Sequence, residues 1–271
     1  GRPGRDADRR LAAMNEPIEL ASHAPERRLI EGRGTSERAW SESPVMDGLD
    51  TCNVDEWANR YSRIWLLAPH PDDEVLALGG SLAYLSERHA DLHIVSVTDG
   101  EASHAESLSW TRERLARARP NELLRGLETL GIEAQVHRLR IPDGKVNLHR
   151  QHLLTTLAEL VDENDLLLTT CRFDGHPDHE ACGDVAEMVG AITGATVIEY
   201  PVWMWHWARP AESTIPWNRA RRIAISDKMV LRKRDAISEF VSQVTPDGEH
   251  GAALPPHVLP RFLRPFEIVF A

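Results

Sequence analysis

A run of apolar residues, Ile64-Trp65-Leu66-Leu67-Ala68, is followed almost at once by His70-Pro71-Asp72-Asp73-Glu74. A second run, Leu166 to Thr170, leads into His176-Pro177-Asp178-His179. A third, Leu92 to Val97, ends in Thr98-Asp99-Gly100-Glu101. Short apolar runs of this length read as strands buried on both faces, and patterns of helical spacing lie between them. Alternation of that kind builds a mainly parallel sheet with helices on both faces, an α/β fold. Ligands bind such sheets outside the carboxyl ends of the strands. Three strand ends therefore bring acid/base and metal-binding side chains to one rim.

The helical patterns run over Leu76 to His89, Trp110 to Leu130, Leu153 to Val161, His179 to Ile192 and Asp227 to Val241. Gly131 stops the second, and Pro120 inside it predicts a kink or a division into two helices. Gln135 to Arg140 and Thr196 to Tyr200 complete the strands. Residues 1–58 show weak periodicity and read as an N-terminal extension packed on the domain; 59–271 read as a single α/β domain with a C-terminal segment at the substrate rim. Trp203, Trp205 and Trp207 alternate, which predicts an extended segment with the indoles on one face. Residues 245–264, rich in Pro, Gly and His, read as a long rim loop in which His250 and His257 are exposed.

A net charge of −11 argues against general affinity for nucleic acid, whose backbone demands clustered cations. The Arg114, Arg117, Arg119 and Arg125 group has helical spacing and reads as a solvated face. No stretch of about 18 apolar residues exists, so no membrane span is expected. The basic segment Gly1–Arg10 leads into no apolar run, so no secretory signal is expected. The three cysteines, Cys52, Cys171 and Cys182, form no C-x-x-C pair, which suits a reducing cytoplasm. Nothing in the sequence excludes a homo-oligomer.

Zinc takes imidazole nitrogen and carboxylate oxygen in a tetrahedral shell and, in catalytic sites, leaves one position open for water. His70, Asp73 and His179 supply such a shell. Asp72, adjacent to Asp73 but diverging from it, is then the general base. His176 is the acid and oxyanion partner, with Asp178 holding its ring and keeping it charged. Magnesium is the competing reading of the carboxylates, but it prefers oxygen ligands, and the histidines argue against it. The absence of G-x-G-x-x-G after the first strand argues against a dinucleotide-binding oxidoreductase.

Ala68 to Glu74, followed by Gly79-Gly80, resembles the signature of the LmbE/PIG-L deacetylase family. Thr98 to Glu101, Arg119-x-x-Glu122 with Leu130-Gly131, Pro142-Asp143-Gly144 and His176 to His179 follow in matching order. The resemblance covers residues 62–200. It implies a Rossmann-like fold and zinc-dependent hydrolysis of an N-acetyl or longer N-acyl group on an amino sugar or glycoconjugate. It implies the same ligands, base and acid named above, and places Arg119 and Asp143 against substrate hydroxyls. Two positions depart from the pattern: Phe240 stands where a His is common, and Asp174 where an aromatic is common. Two other readings stay open, an amidase acting on a thiol-sugar conjugate and a catalytically silent sugar-binding relative.

Overall fold

The computed structural model describes residues 28–248 and 251–271; the first 27 residues of the predicted extension, Gly1–Arg10 among them, and His250 lie outside the described residues. Eight strands form one sheet: β1 (Asp50–Thr51), β2 (Ile64–Ala68), β3 (Leu92–Ser96), β4 (Gln135–Arg138), β5 (Leu166–Thr170), β6 (Thr196–Tyr200), β7 (Ala220–Ala224) and β8 (Phe266–Phe270). Their order across the sheet is β1-β7-β8-β6-β5-β2-β3-β4. All neighbours are parallel except β8, which lies antiparallel between β6 and β7.

Parity along the strands sorts the core. Ile64, Leu66, Ile94 and Leu168 face one apolar cluster, while Trp65, Leu67, Val95 and Leu167 face another. Every residue of β2, β3 and β5 is buried, which explains why these runs are continuous rather than alternating. The helices α4 (Asp73–Ser86), α5 (Arg112–Leu130) and α9 (Asp227–Ser238) contribute to the first cluster; α6 (Arg150–Leu160) and α7 (Pro177–Thr193) contribute to the second. Short helices α1 (Glu37–Ser41), α2 (Pro44–Asp47) and α3 (Asp55–Arg60) bury Trp40, Met46 and Trp57 against the first cluster. No described helix is long and apolar enough to cross a membrane.

The chain leaves β2 for β3 on one side, and β5 returns on the other. The crevice at that reversal lies between the carboxyl ends of β2 and β5, where open α/β sheets bind ligands. The two histidine motifs follow those two strands.

Three local expectations are corrected. Pro120 lies within one continuous helix, α5. The backbone break falls instead in α4 at Leu78, with φ −127° and ψ 17°. Past that break, the Glu267 carboxylate accepts from the amides of Gly80 and Ser81, both at 2.8 Å, and so caps the second half of the helix. The tryptophan segment is not extended either: Met204–Trp207 forms one helical turn, α8. Its Trp205 packs edge-on against Trp40, with ring centroids 5.0 Å apart, inside the core. Finally, the predicted rim loop includes a short 3-10 turn, Leu259–Phe262.

Candidate metal centre and catalytic cleft

The β2 strand ends at Ala68, and Pro69 is pinned by Thr98, whose amide and hydroxyl both donate to its carbonyl at 3.1 and 2.9 Å. The chain then turns sharply. Asp72 takes φ 141° and ψ −26°, a positive φ that costs of order 1–3 kcal/mol for a residue with a Cβ. Because α4 starts at Asp73, the turn sends Asp72 and Asp73 to different sides, as the adjacent pair predicted. The His70 amide donates to Asp73 Oδ2 at 2.8 Å, closing the turn. From the far side of the crevice, α7 begins at Pro177 with His176 as its N-cap and carries His179 in its first turn.

His70, Asp73 and His179 converge. His70 Nδ1 and His179 Nε2 are 3.1 Å apart, and Asp73 Oδ2 lies 3.4 Å from the first and 3.3 Å from the second. A tetrahedral zinc with bonds of about 2.0–2.1 Å spaces its ligand atoms about 3.3 Å apart. The triangle has those dimensions. Each imidazole also turns its other nitrogen onto a carboxylate. His179 Nδ1 meets Asp174 Oδ2 at 2.7 Å, and His70 Nε2 meets Asp143 Oδ1 at 3.1 Å with Asp178 Oδ2 at 3.4 Å. Such partners fix the tautomer and free the facing lone pairs for a metal.

A second grouping, His70 Nε2 with Asp143 and Asp178, also has cation-binding atoms close together. Its carboxylates already accept backbone amides: Asp143 from Ala102 at 2.7 Å, and Asp178 from Gly144 and Val146 at 2.7 and 3.0 Å. It offers one imidazole where the first triangle offers two, so the donor set of the first fits zinc better.

The electrostatics agree with a cation between the two rings. Burial pulls the His70 pKa down, but Asp143, Asp178 and Asp73 together carry it well above its ordinary value. Burial likewise opposes Asp73 and Asp174 at His179, whose pKa is pushed up to about 9. At Asp73 burial favours the acid, and His179 and His70 override it to hold the carboxyl well below its usual range. The surrounding carboxylates thus favour positive charge between these rings, which a divalent cation would supply.

Beside the triangle, Asp72 is buried and its Oδ2 accepts from Arg119 at 3.0 Å. Burial raises its pKa to about 7, Arg119 opposes the rise, and Asp73 adds to it. Arg119 also donates to the carbonyls of Gly100 and Pro71, at 2.9 and 2.8 Å. Gly100, with φ 63°, must lack a side chain because a Cβ there would collide with the guanidinium. Glu122, three residues on, does not pair with Arg119 but accepts from the amide and hydroxyl of Ser242.

Two supporting roles differ from expectation. Asp178 does not hold the His176 ring by its carboxylate. Its backbone amide donates to His176 Nδ1 at 3.2 Å, while the carboxylate serves His70 and the amides of Gly144 and Val146. His176 is therefore not kept as an imidazolium: burial, then the charges of His70 and His179, push its pKa down to about 3. With Nδ1 accepting, its proton sits on Nε2. Arg119 and Asp143, expected against substrate hydroxyls, do line the cleft, but each is engaged in holding Asp72 or His70.

The cleft has a volume of about 420 Å³. Beyond the residues above, its walls include Leu76, Ser103, Trp203, Gln243 and Leu254. Gln243 stands in a Ser242-Gln243 pair that is visible in sequence, whereas no local pattern marks Asp174 as a partner of His179. Cys171 and Cys182 are buried in the two apolar cores with free thiols.

Residues 65–189 match the family described as PIG-L: GlcNAc-PI de-N-acetylase. The chain is 26% identical over 145 residues to diacetylchitobiose deacetylase of Thermococcus kodakarensis, covering 52% of this chain and 53% of that protein. It is 30% identical over 136 residues to the probable N-acetyl-alpha-D-glucosaminyl L-malate deacetylase 2 of Bacillus anthracis, covering 48% and 60%. The chain thus spans just over half the length of these curated relatives. In fold it resembles the crystal structure of a deacetylase–bog complex from the teicoplanin biosynthesis pathway, with TM-score 0.61 and 16% identity over 77% of this chain and 96% of that one. The strand order, the paired motifs at the β2 and β5 ends and the family match agree: over residues 65–189 this chain carries a PIG-L/LmbE family domain.

Proposed function

We propose that this protein is a zinc-dependent deacetylase that hydrolyses the N-acyl amide of a GlcNAc-type amino sugar. The observation that carries the reading is the triangle of His70 Nδ1, Asp73 Oδ2 and His179 Nε2 beside a buried carboxylate, Asp72. Relatives named as a diacetylchitobiose deacetylase and as a probable N-acetyl-alpha-D-glucosaminyl L-malate deacetylase support the substrate class.

His70, Asp73 and His179 would hold the ion, which supplies Lewis acidity and lowers the pKa of water from about 15.7 to near 7. Asp72 does the proton work. Its Oδ2 is engaged by Arg119, so Oδ1 takes the proton from the attacking water. A pKa of about 7 lets the same carboxyl pass that proton to the departing amine, so one residue serves as base and then acid. His176 donates from Nε2 as a neutral imidazole toward the oxygen of the tetrahedral intermediate. Trp203 and Leu254 offer apolar surface to the sugar, and Gln243 a polar group. The products are a free amino sugar and a carboxylic acid.

A panel of N-acyl glucosaminides and thiol-sugar amides, assayed for released amine and acid with the zinc-loaded chain, tests this. Amine release from N-acetylglucosaminides is the expected result. Binding without release from any of them makes the chain a silent sugar binder, and release from thiol-sugar amides alone moves the substrate class.

A further inference from the structure

Asp174 is fully buried, and its carboxylate accepts four hydrogen bonds. One comes from His179 Nδ1 at 2.7 Å. The other three come from consecutive backbone amides of the segment after β6: Val202 at 2.8 Å, Trp203 at 2.9 Å and Met204 at 3.0 Å. The same residue's carbonyl accepts from Trp207 Nε1 at 3.0 Å. Asp174 thus joins the imidazole of the candidate metal centre to both ends of the turn that brings Trp203 to the cleft wall, by its carboxylate at residues 202–204 and by its main-chain carbonyl at Trp207.

We propose that Asp174 is a positioning residue with two loads: it fixes His179 with Nε2 bare toward the metal, and it holds the 202–207 turn so that Trp203 forms the substrate wall. This rests on the zinc-site reading above. The physical basis is the count of donors. Three successive amides cannot all point at one another's carbonyls at the start of a short helix, so an outside acceptor must serve them. A carboxylate does this, with Oδ1 accepting from Val202 and Met204 and Oδ2 from Trp203 and the imidazole. An amide side chain cannot, since its NH₂ would meet N–H donors. Geometry at the ion and geometry at the wall are therefore set by one group.

The test uses the metal-stripped full chain with zinc alone as probe, titrated in competition with a chelating indicator. Asp174→Asn is expected to weaken zinc binding about 10–100-fold. It should also change tryptophan emission, because Trp203 and Trp207 lose their fixed surroundings. Trp203→Ala should leave zinc affinity unchanged and raise KM for an N-acetylglucosaminide more than it lowers kcat. A folded Asp174→Asn chain that binds zinc like the parent overturns the proposal. Should that variant not fold, histidine-labelled NMR of the parent decides: His179 protonated on Nδ1 in the zinc-loaded protein supports the role, and protonation on Nε2 overturns it. If zinc affinity falls as expected but no N-acyl glycoside is cleaved, the positioning role stands and the deacetylase reading fails.

Discussion

At Asp72 a strained backbone, burial and the neighbouring charge of Asp73 meet in one side chain. Such cost persists where the surroundings over-determine it, and here Arg119 and the Pro69–Thr98 contacts do so. Asp72→Asn is the mildest test, because Asn tolerates positive φ better than most residues. It should lower turnover by about 10² or more and leave zinc binding in place. Turnover is measured by amine release and zinc by metal content after dialysis; an active variant removes the base assignment. The pH profile follows from the same residue. Activity needs the carboxylate, so kcat/KM should rise with pH through about 7. Arg119 favours that carboxylate, so Arg119→Gln should move the rising limb to higher pH, and Arg119→Lys, which keeps the charge, should move it less. A limb that stays in place in Arg119→Gln assigns the titration to another group. The convergence of His70, Asp73 and His179 was legible from residue type and strand ends. The lowered pKa of His176 was not, because it comes from burial and from the charges of His70 and His179, which only the fold brings beside it.

The break in α4 and its repair show what a linear reading misses at the scale of elements. Gly79-Gly80 is visible in sequence, but the partner that caps the break, Glu267, lies on the last strand. Lys233 Nζ completes the arrangement at 2.6 Å from Glu267, with both side chains 1% exposed. Removing one member of a buried pair leaves the other charge without compensation, at about 3–5 kcal/mol. Glu267→Gln should therefore lower stability by that order in denaturant unfolding, and the double variant Lys233→Met/Glu267→Gln should recover part of it. Equal loss in the double and single variants contradicts the pairing. The tryptophan turn teaches the same lesson. Alternation at Trp203, Trp205 and Trp207 suits a strand, yet Asp174 gathers the amides of Val202, Trp203 and Met204 and turns the chain into a helical start. Period-two spacing over five residues cannot outweigh an acceptor fixed 30 residues earlier.

The whole molecule follows from alternation. Strands β2, β3 and β5 and the helices between them were readable because burial on both faces makes their runs continuous. The antiparallel β8 and the two-residue β1 were not, since Phe266–Phe270 gains its meaning only by pairing with Ala220–Ala224. The topology brings two imidazoles and a carboxylate together from the β2 and β5 ends, so ion binding should be coupled to folding. Zinc at 100 times its dissociation constant would add about 2.7 kcal/mol of stability. Chelation should lower the melting temperature and abolish activity, and zinc should restore both; a melting curve indifferent to chelator contradicts a site built between the β2 and β5 ends. The most direct measurement is anomalous X-ray scattering at the zinc edge from zinc-loaded crystals. The expected map has one peak within bonding reach of His70 Nδ1, Asp73 and His179 Nε2. A peak between His70 Nε2, Asp143 and Asp178, or no peak near His70 at all, contradicts the metal centre on which the proposed hydrolysis depends.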